Sequence, residues 1–268
     1  MDDTYLLPGR LIESEDPAVV AYAAKAVGGE TDPTQKALKL FYAVRDDVRY
    51  DAYLPLADIK SYSGKEALAM GRGWCVSKAA LLAACARAQG IPARPGYADV
   101  RNHMATPKLT EAMGTDVFFW HSYCELRLDG RWVKCTPSFN KSLCDKFGLK
   151  TLDFDGETDS LFHEYDKTGN KHMEYIRDRG PFPDVPYEEI LATFRAEYLN
   201  MQDGIEGDFE AEAGEAFGTA SGEAFGGGNH PSADSRAFGG FEGVGANHAD
   251  DASLASLGGL SPRTGMGY

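Results

Sequence analysis

The stretch Gly73-Trp74-Cys75, leading into Val76-Ser77-Lys78-Ala79-Ala80-Leu81-Leu82-Ala83-Ala84-Cys85-Ala86-Arg87-Ala88-Gln89, constrains this chain more than any other. Nearly every residue from 75 to 89 is a good helix former, and Gly90-Ile91-Pro92 is a stop signal. The predicted helix has few bulky side chains. Neighbours can approach such a helix closely, which suits one buried in the middle of a domain. A cysteine in its first turn faces unpaired N–H groups and the positive end of the helix dipole, and both favour the thiolate. The plainer reading of Cys75 is a small buried residue, the usual fate of a free cysteine.

Elements that could enclose this helix lie on both sides of it. Asp16-Pro17 and Asp32-Pro33 each read as an N-cap followed by a proline at the first helical position. The first predicted helix ends at Gly28. The second carries Ala37, Leu40, Phe41, Val44 and Val48 on one face. Ser63 with Glu66 reads as a capping box, and Gly71 closes that short helix. Residues 91–100 read as a strand loosened by Pro92 and Pro95, and a loop with His103, Met104 and Pro107 follows as a candidate cover over a site. A last helix is expected from Asp184-Val185-Pro186 to about Leu199.

His121 to Leu128 and Arg131 to Thr136 flank Asp129-Gly130, a strong hairpin signal. A two-residue turn pairs Leu128 with Arg131, Leu126 with Val133, Cys124 with Cys135 and Tyr123 with Thr136. Alternation then puts Cys124, Leu126, Leu128, Val133 and Cys135 on one face, and His121, Tyr123, Glu125 and Thr136 on the other. His121 becomes a diagonal neighbour of Thr136. Cys124 and Cys135 read as buried thiols. A nucleophilic cysteine needs a base, usually histidine, oriented by a third polar group. Cys75, His121 and Thr136 are the candidates for those three places. Taken singly, His121 is also readable as an edge-strand histidine and Thr136 as an ordinary strand former.

Composition narrows the function. A chain of 268 residues with 43% hydrophobic content can bury a sizeable core, and its net charge of −14 argues against nucleic acid or an anionic membrane as partner. Met1 to Tyr5 hold neither a basic region nor an apolar run, so the expected location is the cytoplasm, with reduced thiols. Five cysteines make no secreted framework, and no Cys-x-x-Cys is present. Asp153 to Asp159 lack the spacing of a calcium loop, and His163 and His172 lack the spacing of a helical metal site, so no metal is expected. From 201 onward eleven acidic residues stand against two arginines, and Ala-Phe-Gly recurs at 216–218, 224–226 and 237–239. Such an acidic Gly/Ala/Phe tail is expected to be disordered, serving a protein partner or only solubility.

The combination of Gly73-Trp74-Cys75, the alanine-rich run into Gly90-Ile91-Pro92-Ala93-Arg94, His121-Ser122-Tyr123-Cys124-Glu125 and Gly130-Arg131-Trp132-Val133 resembles the transglutaminase-like superfamily of papain-type fold over roughly residues 30–145. Val100-Arg101-Asn102-His103 and Thr136-Pro137-Ser138-Phe139-Asn140 add a likeness to its bacterial members. The resemblance implies an α+β fold, papain-like in core, with the nucleophile at the N-terminus of a buried helix packed against an antiparallel sheet. It implies Cys75 as nucleophile and His121 as base. Where the family usually has an aspartate before proline, this chain has Thr136 before Pro137. Threonine can orient an imidazole but cannot stabilise imidazolium. Asn140 and Asp116 remain alternatives for the third place.

The expected domains are an N-terminal helical extension (1–30), a catalytic domain (31–200) and the tail (201–268). The implied activity is cysteine-dependent acyl transfer on peptide or carboxamide bonds, without a cofactor. Its substrate is a protein, a peptide or a small amide. Water is favoured over an amine as acceptor, because selective transfer needs a site that excludes water. The alternative keeps the fold, loses the chemistry at Thr136 and leaves a binding or scaffold module.

Overall fold

Aspartate followed by proline does open two helices. Asp16 accepts the N–H of Ala18 at 2.9 Å and Asp32 that of Gln35 at 2.8 Å. The computed structural model describes residues 3–102, 105–147, 149–161, 173–198, 200–201 and 203–212. Its elements in chain order are α1 (Pro17–Val27), α2 (Pro33–Asp47), β1 (Arg49–Tyr50), α3 (Gly64–Met70), β2 (Arg72–Gly73), α4 (Cys75–Ala88), β3 (Ala93–Asn102), α5 (Pro107–Met113), β4 (Val117–Leu128), β5 (Arg131–Cys135), α6 (Lys141–Phe147), β6 (Met173–Pro181) and α7 (Tyr187–Glu197). An antiparallel sheet runs in the order β5-β4-β3-β6, and β1 and β2 form a short parallel pair that sets Tyr50 beside Gly73. The fold is α+β, with a buried helix against an antiparallel sheet.

That helix is α4, buried at every residue from Cys75 to Arg87. It packs on β3 and β4 and is covered by α1, α2 and α3. Alanine makes this close enclosure feasible. On α3, a Cβ at Gly64 would stand 2.7 Å from the backbone nitrogen of Leu81 and 2.8 Å from its Cα. The two cations on α4 are matched with backbone carbonyls. Lys78 donates to the carbonyl of Arg45 at 2.9 Å and, over a short bond, to that of Val48, at the end of α2. Burial holds its ammonium down to about 7. Arg87 donates to the carbonyls of Ala93, Leu7 and Pro183 at 2.9, 2.6 and 2.7 Å. One guanidinium thus ties the N-terminal segment, the start of β3 and the loop before α7 to the central helix.

The hairpin has the expected register, Cys124 with Cys135, Leu126 with Val133 and Leu128 with Arg131. Asp129 and Gly130 sit at φ 49° and 79°, as a two-residue turn between twisted strands requires. All five cysteines are buried and free. Other expectations need correction. Ser63 caps α3 by accepting the N–H of Glu66 at 3.1 Å, but its own N–H goes to Lys60 and its hydroxyl to Glu13 at 2.5 Å, so the reciprocal half of the box is missing. The last helix, α7, starts only at Tyr187, and Asp184 lies outside it. Asp184 turns to the N-terminal segment and accepts the N–H of Arg10 at 2.6 Å. The expected covering loop contains a helix, α5, with Leu109 and Met113 buried; His103 and Met104 lie outside the described residues. So do His163, His172 and residues 213–268. Strand β6 went unread because Arg177, Asp178, Arg179 and Gly180 resemble a loop. As an edge strand it exposes Arg177 and Asp178 and turns Arg179 inward to Asp99.

Among the described residues no helix is long and apolar enough to cross a membrane. Gly64→Ala is expected to cost about 1–3 kcal/mol, because backbone rather than a flexible side chain stands in the way of the new Cβ. Urea unfolding of the full chain measures it.

Candidate active site

Cys75 enters its position through a tight approach. A Cβ at Gly73 would stand 2.7 Å from Ser77 Oγ, so only glycine lets β2 run directly into α4. Ser77 in turn accepts the N–H of Trp74 at 3.2 Å. The Trp74 indole donates to the carbonyl of Ser61 at 2.6 Å and stands edge-on to Tyr62. Cys75 is the first residue of α4 and is 4% exposed. The backbone N–H groups of Ser122, Val76 and Cys75 itself favour its thiolate, as the helix position predicts. Burial outweighs them and pushes the thiol up to about 12. An apolar surround removes more solvation than three N–H groups return.

His121 is buried in β4 and lines the same cleft as Cys75. Just before it the strand is irregular. Ala98 pairs with His121 and Val100 with Phe118, so two residues of β4 stand against Asp99 alone. Trp120 sits at φ 58°, in the left-handed region. Its N–H reaches Asp99 Oδ1 at 3.0 Å, its indole donates to Thr193 at 2.9 Å, and the Arg179 guanidinium lies 4.3 Å from its ring centre. Arg179 pairs with Asp99 at 2.6 Å, both largely buried. A conformation costing of order 1–3 kcal/mol is therefore held from several sides, immediately before the histidine.

The candidates for a third group separate. Thr136 is buried beyond the end of β5, its N–H on the carbonyl of Ser160 at 3.0 Å, and its hydroxyl has no hydrogen-bond partner among the described residues. It is not among the residues that line the cleft. Asn140 is engaged elsewhere, accepting the N–H of Tyr50 at 3.0 Å and donating to Ser142 at 2.7 Å. Asp116 is exposed and paired with Arg101 at 3.2 Å. Tyr123, a candidate cleft wall, lies instead against Gly96 and under Lys134. Trp74 does line the cleft.

Several lining residues were not foreseen. Tyr50 comes from β1, Leu109 and Met113 from α5, and Phe194, Tyr198 and Met201 from α7 and beyond. Tyr198 accepts the N–H of Phe119 at 2.9 Å, and burial raises its phenol. No motif marks these residues; only their apolar character does. Among the described residues no group of three or more His, Cys, Asp or Glu side chains could hold a metal.

Residues 20–137 match the profile of the Transglutaminase-like superfamily. The likeness covers less than half of the chain. Cys75 and His121 both fall inside the matched span, as does Thr136. Two solved structures align with parts of the chain. A provisionally named cysteine protease from Cytophaga hutchinsonii is 24% identical with a TM-score of 0.38, over 50% of this chain and 40% of that one. A provisionally named protease from Parabacteroides distasonis is 18% identical with a TM-score of 0.34, over 47% of this chain and 24% of that one. This chain thus spans less than half the length of either. No curated protein matches.

Two measurements test the geometry of this site. Asp99→Ala strands Arg179 and the Trp120 N–H, and is expected to cost about 3–5 kcal/mol in urea unfolding. Cys75 in the resting protein is expected to alkylate slowly at pH 8, with a rate still climbing above pH 10. Burial raises its pKa to about 12, which leaves roughly one thiolate in ten thousand at pH 8. Mass spectrometry after iodoacetamide treatment reads the profile.

Proposed function

We propose that this protein is a cysteine-dependent acyl-transfer enzyme acting on peptide or carboxamide bonds, with water as the usual acceptor. The observation that carries the reading is that Cys75, at the start of a buried helix, and His121, on the facing strand, line one cleft. Residues 31–200 would be the catalytic unit, 1–30 its helical extension and the acidic stretch from 201 its tail. Five free thiols suit a reducing compartment such as the cytoplasm.

Burial of the thiol fixes the order of proton transfers. Cys75 is neutral at rest, so neutral His121 takes its proton as the sulfur attacks the carbonyl carbon. The carbonyl electron pair moves onto oxygen, where N–H groups at the start of α4 can receive it. His121 then gives the proton to the departing amine as the C–N bond breaks. The thioester left on Cys75 is opened by water, whose proton His121 accepts. The tetrahedral intermediate collapses, the C–S bond breaks and the thiol is restored. Thr136 is the orienter this mechanism favours. It follows the Cys124–Cys135 pair on the strand beside His121, and its buried hydroxyl is left with an open hydrogen-bonding capacity among the described residues.

A second reading, a binding module without chemistry, draws on the same burial of Cys75 and on threonine in place of aspartate. Turnover separates the two. Amide hydrolysis of a peptide library is expected to fall by about 10³-fold or more in Cys75→Ala and in His121→Ala, and by roughly 10- to 100-fold in Thr136→Ala. With a primary amine added, most product should still be the free acid. Absence of turnover in the wild type, with unchanged fold and binding in all three variants, would establish the module.

A further inference from the structure

The acidic stretch does not begin as a bystander. Asn200 donates its N–H to the carbonyl of Ala112 on α5 at 3.0 Å, and Met201 is buried as a wall of the Cys75 cleft. Gly204, at φ 84°, brings the chain so near the 53–55 backbone that a Cβ would stand 3.1 Å from both Tyr53 O and Pro55 N. Asp208 then caps a single helical turn, accepting the N–H of Ala211 at 3.0 Å. That turn presents Phe209 edge-on to two tyrosines, 5.4 Å from the ring centre of Tyr50 and 5.3 Å from that of Tyr53. Tyr50 is itself a wall of the Cys75 cleft.

The polar contacts around this phenylalanine favour one charge. Glu212 accepts from Tyr53 Oη and from Lys108 Nζ, each at 2.9 Å. Lys108 also donates, over a short bond, to the carbonyl of Glu206. Lys146 donates to the carbonyl of Glu210 at 3.1 Å, and Arg49 lies 3.9 Å from the Glu210 carboxylate. At Gly207 a Cβ would run into the Glu212 carboxylate and Lys108, so the turn fits its seat closely. A pair of tyrosine rings ringed by Lys108, Lys146 and Arg49 is complementary to an acidic segment with one aromatic residue. The chain repeats that chemistry as Glu-Ala-Phe-Gly at 215–218 and 223–226.

We propose that Tyr50, Tyr53, Arg49, Lys108 and Lys146 form a binding site for acidic peptides bearing a phenylalanine, and that residues 203–212 are its tethered occupant, limiting access to Cys75. That the site selects substrates rests on reading Cys75 and His121 as a catalytic pair; that it binds such peptides does not. A tethered ligand acts at an effective concentration of order mM, so the occupied state should dominate in the unmodified chain.

The test uses the full chain with Phe209→Ala and Glu212→Gln, and a fluorescein-labelled peptide of residues 203–212. Anisotropy should show the peptide binding this double variant at least about tenfold more tightly than the wild type. Binding should be lost when Lys108→Glu is added, and with a peptide in which alanine replaces the phenylalanine. Cys75 should alkylate about tenfold faster at pH 8 in the double variant, and slow again when the peptide is added. Equal binding to wild type and double variant, no binding, or indifference to Lys108→Glu would overturn the site. Binding without any change in Cys75 alkylation would overturn its control of access. His121→Ala in the same background should leave peptide binding unaltered, so a failure of the catalytic pair is read separately, as turnover that does not depend on His121.

Discussion

Everything in this structure depends on enclosing α4 on all sides. A helix buried around its whole circumference leaves its neighbours only small residues to approach and no water to solvate its cations. Alanine answers the first demand, and Gly64 carries it to the limit by bringing α3 onto the backbone of α4. The second is met by carbonyls at chain ends: Lys78 takes those at the end of α2, and Arg87 takes three from separate segments. These bonds do more than satisfy charge. Lys78 fixes where α2 gives way to β1, and β1 lies alongside β2, which delivers Cys75. The position of the sulfur is thus set from within the core.

The same enclosure decides the chemistry. A helix N-terminus lowers a thiol pKa when water can still reach the sulfur. Here the walls are Tyr50, Trp74, Phe194, Tyr198 and Met201, and desolvation dominates. Dipole and burial compete at one atom, and burial prevails because the whole fold is arranged to exclude water from the start of α4. The strained Trp120 belongs to the same arrangement. The bulge that sets its backbone is held by the buried Asp99–Arg179 pair, and the next residue is the histidine facing the cleft.

Much of this was legible in the sequence, for physical reasons that can be named. The α4 helix, the two Asp-Pro starts and the Asp129-Gly130 hairpin are local: a few consecutive residues fix the backbone, and register follows by counting. The pairing of Cys124 with Cys135 came from that count alone. What was missed is non-local. The extra residue opposite Asp99 cannot be seen when alternation is assumed, and nothing near Asp184 in the sequence points to its partner at Arg10. Strand β6 exists through pairing with β3, against its own composition. The far wall of the cleft comes from residues 194–201, more than seventy positions after His121, where spacing carries no information. The tail was read from composition, yet its first twelve residues hold one phenylalanine, set against Tyr50 and Tyr53, and a glutamate that meets Lys108.

Threonine at position 136 is less anomalous once the state of Cys75 is considered. In an enzyme that rests as thiolate and imidazolium, a buried carboxylate beside the histidine balances a standing positive charge. A thiol held near 12 leaves no such charge to balance at rest. In the proposed mechanism imidazolium is transient, formed as the thiol or the water attacks and gone once each tetrahedral intermediate has collapsed, and the oxyanion is present to offset it. A carboxylate at position 136 would then be a buried charge without a permanent partner, and burying one costs several kcal/mol. A hydroxyl, uncharged and able to accept one N–H, carries no such penalty. An uncharged residue at position 136 and burial of the cysteine are therefore mutually consistent: each removes a charge that the other would have required.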